Sequence, residues 1–164
     1  MRLAIATLED SDAGRLAALV REEAGSLTGV PRPAHACEVQ QWLSQVEDER
    51  RRELACTFSI ALEGVGLVGI IKIGALTGSA HPPQLSYWVA PSYRCRGIAT
   101  AAGRVTMLHA REVLGLGTLW SFAYDDNEAS RKVLRRIGFR RLGRLDRPGP
   151  ATLIYRAEDT RHGN

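Results

Sequence analysis

Apolar and polar positions follow one another in blocks that predict strands and helices in a mixed order. Residues 3–7 alternate weakly, as a short strand does, and Asp10-Ser11-Asp12 then caps an amphipathic helix. Glycine and proline interrupt the pattern over residues 25–33, before a second, more polar helix at about residues 38–51. We interpret this first part of the chain as a mobile flap.

The centre and the end of the chain predict most of a sheet. Residues 55–62 and 67–75 are rich in strand-forming residues and flank the turn Glu63-Gly64-Val65-Gly66, so they predict a hairpin. Residues 84–89 predict a further strand, which Ala90-Pro91 closes. The remaining predicted elements are a long helix at about residues 98–114, a buried strand at 119–124, a helix capped by Asn127 and ending at Gly138, and strands at 139–145 and 152–155. This order predicts a mixed α/β fold with its strands gathered in the centre.

Length and composition are those of one domain. A chain of 164 residues can bury about 70% of its unfolded surface, so we expect a single domain over residues 1–157 and a disordered tail at 158–164. Cys37, Cys56 and Cys95 are odd in number and form no C-x-x-C pair, which favours a reduced, cytoplasmic protein. Neither a signal peptide nor a membrane-spanning stretch is expected from the pattern.

The formal charge of +4 and the pI near 9.3 are unevenly distributed. Much of the excess lies between Arg131 and Arg147, on a predicted helix and the strand after it. Such a run is either a field for an anionic ligand or a solvated face. A basic protein can also bind nucleic acid, but no known nucleic-acid reading motif is present, and we expect no such partner.

Residues 94–99 join a predicted strand to a predicted helix through a glycine turn. Unpaired N–H groups at a helix start point toward one spot and favour an anion there. Gly97 lets a diphosphate approach the main chain closely, and Arg94 and Arg96 add positive charge. The pattern R-x-x-G-x-A is a weak signal when it stands alone.

A second block of residues strengthens that signal. Tyr87-Trp88-Val89-Ala90-Pro91-Ser92-Tyr93-Arg94-Cys95-Arg96-Gly97-Ile98-Ala99-Thr100 resembles the acetyl-CoA motif of the GNAT superfamily of N-acetyltransferases. Asn127-Glu128-Ala129-Ser130, with Ile137-Gly138-Phe139 after it, resembles the next helix and strand of that family. Both blocks look most like the Rim-type branch, and the resemblance covers nearly the whole chain.

The resemblance implies a fold, a co-substrate and a reaction. The fold is a splayed, mixed but mostly antiparallel sheet of about seven strands, flanked by about four helices. Acetyl-CoA is the co-substrate, and an amine attacks its thioester directly, with no covalent acyl-enzyme. The acceptor is a primary amine of a small molecule or a protein or peptide N-terminus, which the sequence does not distinguish. Homodimers are frequent in the family.

The resemblance also assigns residues to the co-substrate. The end of the strand at 84–89 clamps the pantetheine arm, and the Val89 N–H faces the thioester oxygen as an oxyanion donor. The cofactor-binding residues implied in this way are Tyr87, Trp88, Val89, Arg94, Cys95, Arg96, Gly97, Ile98, Ala99, Thr100, Asn127 and Ser130. No metal is expected.

The residues that would move protons depart from the family pattern. Many relatives carry a glutamate near the position of Gln84 and a tyrosine at the position of Leu134, and neither replacement can exchange a proton at neutral pH. Ser130 is the first candidate for the acid, although a helix-start serine also has a structural explanation. Tyr124 is a second candidate acid, or simply a packed strand-end residue.

A base is harder to assign from the residues. His81 is a candidate because imidazole side chains in general titrate near neutral pH, but a surface loop histidine is the simpler explanation. His35 is a candidate for substrate contact. Asp125 and Asp126 could take a proton through water or bind a cationic substrate, and the base stays unassigned. The missing glutamate and tyrosine leave a second function open, a non-catalytic acyl-CoA sensor that binds the cofactor without turnover.

Overall fold

The computed structural model describes residues 2–22, 36–146 and 148–158, which form seven strands and four α-helices. Two single turns of 3-10 helix, Asp10–Asp12 and Pro91–Tyr93, precede helices. In chain order the other elements are β1 (Leu3–Thr7), α1 (Ala13–Arg21), α2 (Ala36–Arg51), β2 (Ala55–Leu62), β3 (Gly66–Gly74), β4 (Gln84–Val89), α3 (Ile98–Glu112), β5 (Thr118–Tyr124), α4 (Glu128–Arg136), β6 (Arg140–Arg144) and β7 (Thr152–Glu158).

The strands form one sheet in the order β1-β2-β3-β4-β5-β7-β6. Every neighbouring pair is antiparallel except β4 and β5, which run parallel and pair only at Gln84 and Trp120. The predicted fold class is confirmed: a mixed, mostly antiparallel sheet that splays between two central strands. The splay leaves a gap between β4 and β5 in the centre of the sheet.

One main-chain hydrogen bond and one side-chain hydrogen bond hold the closed end of the gap. The Trp120 N–H donates to the Pro83 carbonyl at 2.9 Å, and the buried Ser121 hydroxyl donates to the Leu85 carbonyl at 2.8 Å. Beyond Leu85 the two strands diverge, and no further residues of β4 and β5 pair. The gap therefore opens toward the carboxyl ends of β4 and β5.

Helices cover the sheet on both faces. α3 and α4 pack on one face, where Ile71, Leu85 and Leu134 lie in the core. α1 and α2 pack on the other face, where Leu16 and Val39 are buried against Trp88 of β4 and its neighbours. The interpretation of this region as a mobile flap is wrong for α1 and α2, because Leu19 of α1 and Leu43 of α2 are also buried in this layer. Trp42 of α2 is partly buried against the same layer.

A bulge in β3 lies beside the open end of the gap. Ile60 pairs with Gly69 and Ala61 pairs with Leu67, so Val68 is an extra residue in its strand. Bulges bend a strand and increase its local twist. Gly69 follows the bulge and lies opposite Val89, where a side chain would collide with the main chain of β4.

The ends of the predicted domain are only partly described. β7 runs to Glu158, so the structured region extends one residue beyond the predicted boundary. The predicted loop at 25–33, the candidate His35 and residues 159–164 of the predicted tail lie outside the described residues. No helix in the described part of the chain is long and apolar enough to cross a membrane.

The close approach at Gly69 gives a stability prediction. A Cβ added there would meet the Trp88 carbonyl oxygen and lie 3.1 Å from the Val89 Cα. Because backbone atoms cannot move aside cheaply, Gly69→Ala should lower the free energy of unfolding by about 1–3 kcal/mol in urea titration.

Gly14→Ala is the matched control for that variant. Gly14 lies in α1, and a Cβ added there would meet open space. Alanine should therefore leave stability unchanged or raise it by up to about 1 kcal/mol. Wild-type stability in Gly69→Ala would contradict the close packing of β3 on β4.

Candidate active site

The main chain of β4 presents polar groups to the open gap. Ala90 N–H donates to the Val68 carbonyl at 2.9 Å, so Ala90 and the alternate residues before it direct their main-chain groups toward β3. Tyr87 and Val89 therefore direct theirs the opposite way, toward β5. Since Gln84 is the only residue of β4 that pairs with β5, these groups have no strand partner. The Val89 carbonyl accepts from Arg94, which leaves the Val89 N–H and the main-chain groups of Tyr87 for a ligand.

The loop after β4 forms an anion cradle at the start of α3. Gly97 is the N-cap residue, with a left-handed φ of 76° that favours glycine, and it provides no side-chain cap. The first intrahelical hydrogen bond runs from Ala101 N–H to the Gly97 carbonyl at 3.0 Å. The N–H groups of Ile98, Ala99 and Thr100 thus lie ahead of the ladder with no intrahelical acceptor.

Arginine side chains are fixed around this cradle. Arg94 donates from Nε to the Val89 carbonyl at 2.9 Å, so it ties the loop to the end of β4. The Arg96 guanidinium lies 5.6 Å from the centre of the Tyr93 ring, a cation–π distance. Arg15 of α1 donates to the Tyr93 hydroxyl at 3.2 Å. The loop is therefore held from both the strand and the first helix.

The charge distribution at the helix starts suits a phosphate at α3. No acidic residue lies in the first turn of α3, whereas Glu128 occupies that position in α4. The α4 start is also capped, because the Asn127 side chain accepts from Ser130 N–H at 3.0 Å. The dipole and free N–H groups of α3 are left for an external anion, such as the pyrophosphate of coenzyme A.

Two hydroxyl groups meet across the gap. Tyr87 extends from β4 to the first turn of α4, where its hydroxyl oxygen lies within hydrogen-bond distance of Ser130 Oγ, at 2.9 Å, and of the Ser130 carbonyl, at 3.1 Å. Burial raises the pKa of the Tyr87 phenol to about 12, and the Ser130 hydrogen bond offsets part of that rise. The phenol is therefore a neutral donor at physiological pH.

The other candidates for proton transfer lie apart from this pair. Leu119 and Ala123 of β5 face the α3 and α4 layer, so strand alternation places Tyr124 on the opposite face. His81 is exposed in the loop before β4, at the end remote from Val89, and β4 itself spans roughly 17 Å at about 3.3 Å per residue. Asp125 pairs with Arg131 at 3.2 Å, and Asp126 is exposed.

Several motif residues serve packing rather than the gap. The Trp88 side chain is buried against α1 and α2, and its main chain pairs with Ile70 of β3. Ile98 is buried in the core, so only its N–H is placed to contact a ligand. Cys95 is exposed in the loop with a left-handed φ of 60°.

Sequence reasoning missed the side-chain roles of Tyr87, Tyr93 and Arg15. The Tyr87–Ser130 and Arg15–Tyr93 hydrogen bonds join residues 43 and 78 positions apart, so no local motif signals them. The alternation of β4 was the one available signal, since it places Tyr87 on the same face as the buried Leu85 and Val89. Within the described residues, no cluster of three metal-ligating side chains occurs.

The raised pKa of Tyr87 predicts a pH-dependent stability. In the folded chain the pKa of the phenol is raised to about 12, from 10.0 for the unperturbed group. Its neutral form is favoured by folding, so its contribution is complete below pH 10.0 and is lost as the pH rises toward 12. The stability difference between wild type and Tyr87→Phe in urea titrations should therefore fall between about pH 8 and about pH 11. An equal stability difference at about pH 8 and at about pH 11 would contradict a buried, neutral phenol.

Comparison with known proteins identifies the family. The family model described as "Acetyltransferase (GNAT) domain" matches residues 2–140. A relative from Bacillus subtilis, named "Putative ribosomal N-acetyltransferase YdaF", is 31% identical over 148 residues, which cover 87% of this chain and 80% of that one.

Solved structures show the same fold. RimJ of Mycobacterium smegmatis in complex with CoA-disulfide superposes with a TM-score of 0.85 at 24% identity, covering 99% of this chain and 84% of that one. Ribosomal-protein-S5-alanine acetyltransferase of Vibrio fischeri gives 0.85 at 19% identity, covering 100% and 97%. The chain thus belongs to the GNAT acetyltransferase family, as an acyltransferase that takes its acetyl group from acetyl-CoA and transfers it to an amine.

Proposed function

We propose that the chain acetylates the N-terminal α-amine of a protein or peptide, by direct attack of the amine on acetyl-CoA held in the gap between β4 and β5. The observation that carries this proposal is the single point of pairing between those strands. It leaves the main-chain groups of Tyr87 and Val89 facing an open slot beside an anion cradle. A pantetheine arm carries amides that pair with such groups as a strand would.

The phosphates of the co-substrate occupy the start of α3. The N–H groups of Ile98, Ala99 and Thr100 supply donors, while Arg96 supplies charge from its position over Tyr93. The left-handed Gly97 lets the pyrophosphate approach the main chain. Arg94 stabilises the loop through its bond to the Val89 carbonyl and adds positive charge.

The thioester lies farther along the gap, beside the end of β4. The Val89 N–H faces the gap and donates to the carbonyl oxygen as negative charge develops on it. The acceptor nitrogen attacks the thioester carbon, the tetrahedral intermediate collapses, and the thiol of coenzyme A leaves. Ser130 donates a hydrogen bond to the leaving sulfur, and the Asn127 amide, which caps α4 through its oxygen, offers its NH₂ to the pantetheine.

The acceptor chemistry follows from the proton balance of the attack. Among the described residues, no aspartate, glutamate or histidine side chain is hydrogen-bonded to Tyr87 or Ser130. An α-amine has a pKa of about 7.7–8, so about half of it is neutral at pH 8, roughly 100-fold more than for a lysine ε-amine. An N-terminal amine therefore needs the least help from a base.

Two further observations agree with a protein acceptor. The Bacillus subtilis relative carries a ribosomal N-acetyltransferase name. The face of β5 that is turned away from α3 and α4 presents Trp120, Phe122 and Tyr124, and Phe122 is 37% exposed. Aromatic side chains of this kind suit contact with a peptide. A cytoplasmic site of action agrees with such an acceptor and with the reduced cysteines.

A pair of peptides tests the acceptor class. One peptide has a free N-terminus and no lysine, and the other has the same sequence with a blocked N-terminus and one added lysine. At about pH 8 the free-amine peptide should release coenzyme A with a kcat/KM at least about 10-fold higher, because its amine is largely neutral.

The other results of that assay separate the alternatives. A preference for the blocked lysine peptide or for a polyamine would contradict the α-amine proposal. Acetyl-CoA binding without turnover on any amine would instead favour the sensor function.

The phosphate cradle is tested by Gly97→Leu. The leucine side chain should obstruct the approach of the pyrophosphate, which weakens acetyl-CoA binding in isothermal titration by at least about 10-fold, through loss of charged hydrogen bonds. The left-handed conformation should also cost about 1–2 kcal/mol of stability.

Gly64→Leu provides a control with the same backbone strain. Gly64 lies in the turn between β2 and β3 with φ 76° and open space around it, as Gly97 does. This variant should lose similar stability but keep wild-type affinity. Equal affinity in both variants would show that the cradle does not hold the co-substrate.

A further inference from the structure

The hydrogen bond between Tyr87 and Ser130 connects the two sides of the gap. Tyr87 lies on β4 and Ser130 on the first turn of α4, so the pair joins the strand on one side of the gap to the helix that follows β5 on the other side. The Tyr87 oxygen lies within hydrogen-bond distance of both the Ser130 hydroxyl, at 2.9 Å, and its carbonyl, at 3.1 Å. The Tyr87 oxygen therefore contacts both the main chain and the side-chain hydroxyl of Ser130.

The hydrogen atoms of this pair allow two arrangements. A carbonyl only accepts, so Tyr87 gives its single hydrogen either to the Ser130 carbonyl or to Ser130 Oγ. In the first arrangement the Ser130 hydroxyl donates back to Tyr87 and is occupied. In the second arrangement Ser130 Oγ accepts from Tyr87, which leaves the serine hydrogen free to donate elsewhere.

We propose that Tyr87 is a positioning residue that holds the Ser130 hydroxyl so that its hydrogen is directed at the sulfur of coenzyme A. This inference rests on the proposed function, in which Ser130 contacts that sulfur. As the C–S bond breaks, its electron pair goes to sulfur, and the hydrogen bond from Ser130 stabilises the developing thiolate. The nitrogen of the new amide loses one proton to solvent and the thiolate gains one from solvent, so the reaction balances.

The pair also accounts for an unusual residue on α4. Leu134 lies one helical turn after Ser130, on the same face, and is fully buried. The sequence resemblance places a tyrosine there in many relatives, and in this chain a phenol reaches the same helix face from β4 instead. The elevated pKa of that phenol keeps it a donor over the working pH range, with Tyr155 as a second titratable group that acts on it.

Kinetics of conservative variants test the positioning role. Tyr87→Phe keeps the ring and removes one oxygen, and Ser130→Ala removes its partner. Each should lower kcat by at least about 10-fold with the acetyl-CoA KM and dissociation constant changed less than about 2-fold. The double variant should be no slower than the slower single variant, because the two residues act as a unit. Ser44→Ala, which removes an exposed serine hydroxyl on α2, is the matched control and should retain wild-type kcat.

A binding measurement makes the proposal independent of turnover. A hydrogen bond from Ser130 favours the thiolate and so lowers the pKa of the bound thiol from its usual value of about 8.5. Wild-type affinity for coenzyme A, relative to desulfo-coenzyme A, should therefore rise several-fold between about pH 7 and about pH 9. In Tyr87→Phe and Ser130→Ala that ratio should stay flat.

The outcomes separate this proposal from the proposed function. A flat ratio in the wild-type protein, or wild-type kcat in Tyr87→Phe, would overturn the positioning role even if acetyl transfer proceeds. A loss of affinity in Tyr87→Phe without a change in kcat would show a structural clamp instead. Absence of turnover in the wild type, with the pH-dependent ratio present, would overturn the proposed function and leave the positioning role supported.

Discussion

Two adjacent parallel strands that pair at a single position set the conditions for the rest of the structure. Buried main-chain groups require partners, and the open half of β4 has none from β5. The Trp120 and Ser121 contacts hold the strands together at one end, while the bulge at Val68 bends the sheet at the other. The resulting slot is a feature of the sheet itself, and we propose that a ligand with amide groups completes the interrupted ladder.

The elements around the slot divide the work of binding and chemistry. The loop ending at Gly97 leaves the start of α3 uncapped, which favours phosphate, whereas Asn127 caps α4 with its own side chain. Capping at α4 fixes the first turn and with it Ser130. Tyr87 then reaches that turn from the opposite side of the slot. In the proposed function, the start of α3 binds the anion, and the start of α4 holds a hydroxyl near the reacting atoms.

Local chemistry made much of this predictable from the sequence. β4 begins and ends where its alternation and the Ala90-Pro91 pair predicted, and Asn127 caps α4 as its residue type indicated. The packing of α1 and α2 was misjudged because the glycine-rich stretch between them suggested mobility, whereas burial depends on which sheet face they meet. The Tyr87 to Ser130 contact was not predictable, since it joins residues 43 apart through strand register and the angle of the splay. Tertiary geometry of that kind leaves no signal in a single sequence.

Amide hydrogen exchange of β4 tests the role of the slot most directly. Tyr87 and Val89 direct their N–H groups into the gap, whereas Ser86 and Trp88 pair with β3 and are already protected. Addition of acetyl-CoA should slow exchange at Tyr87 and Val89 while leaving Ser86 and Trp88 unchanged. Unaltered exchange at Tyr87 and Val89 in the saturated complex would contradict the account, because the co-substrate would then lie somewhere other than between β4 and β5.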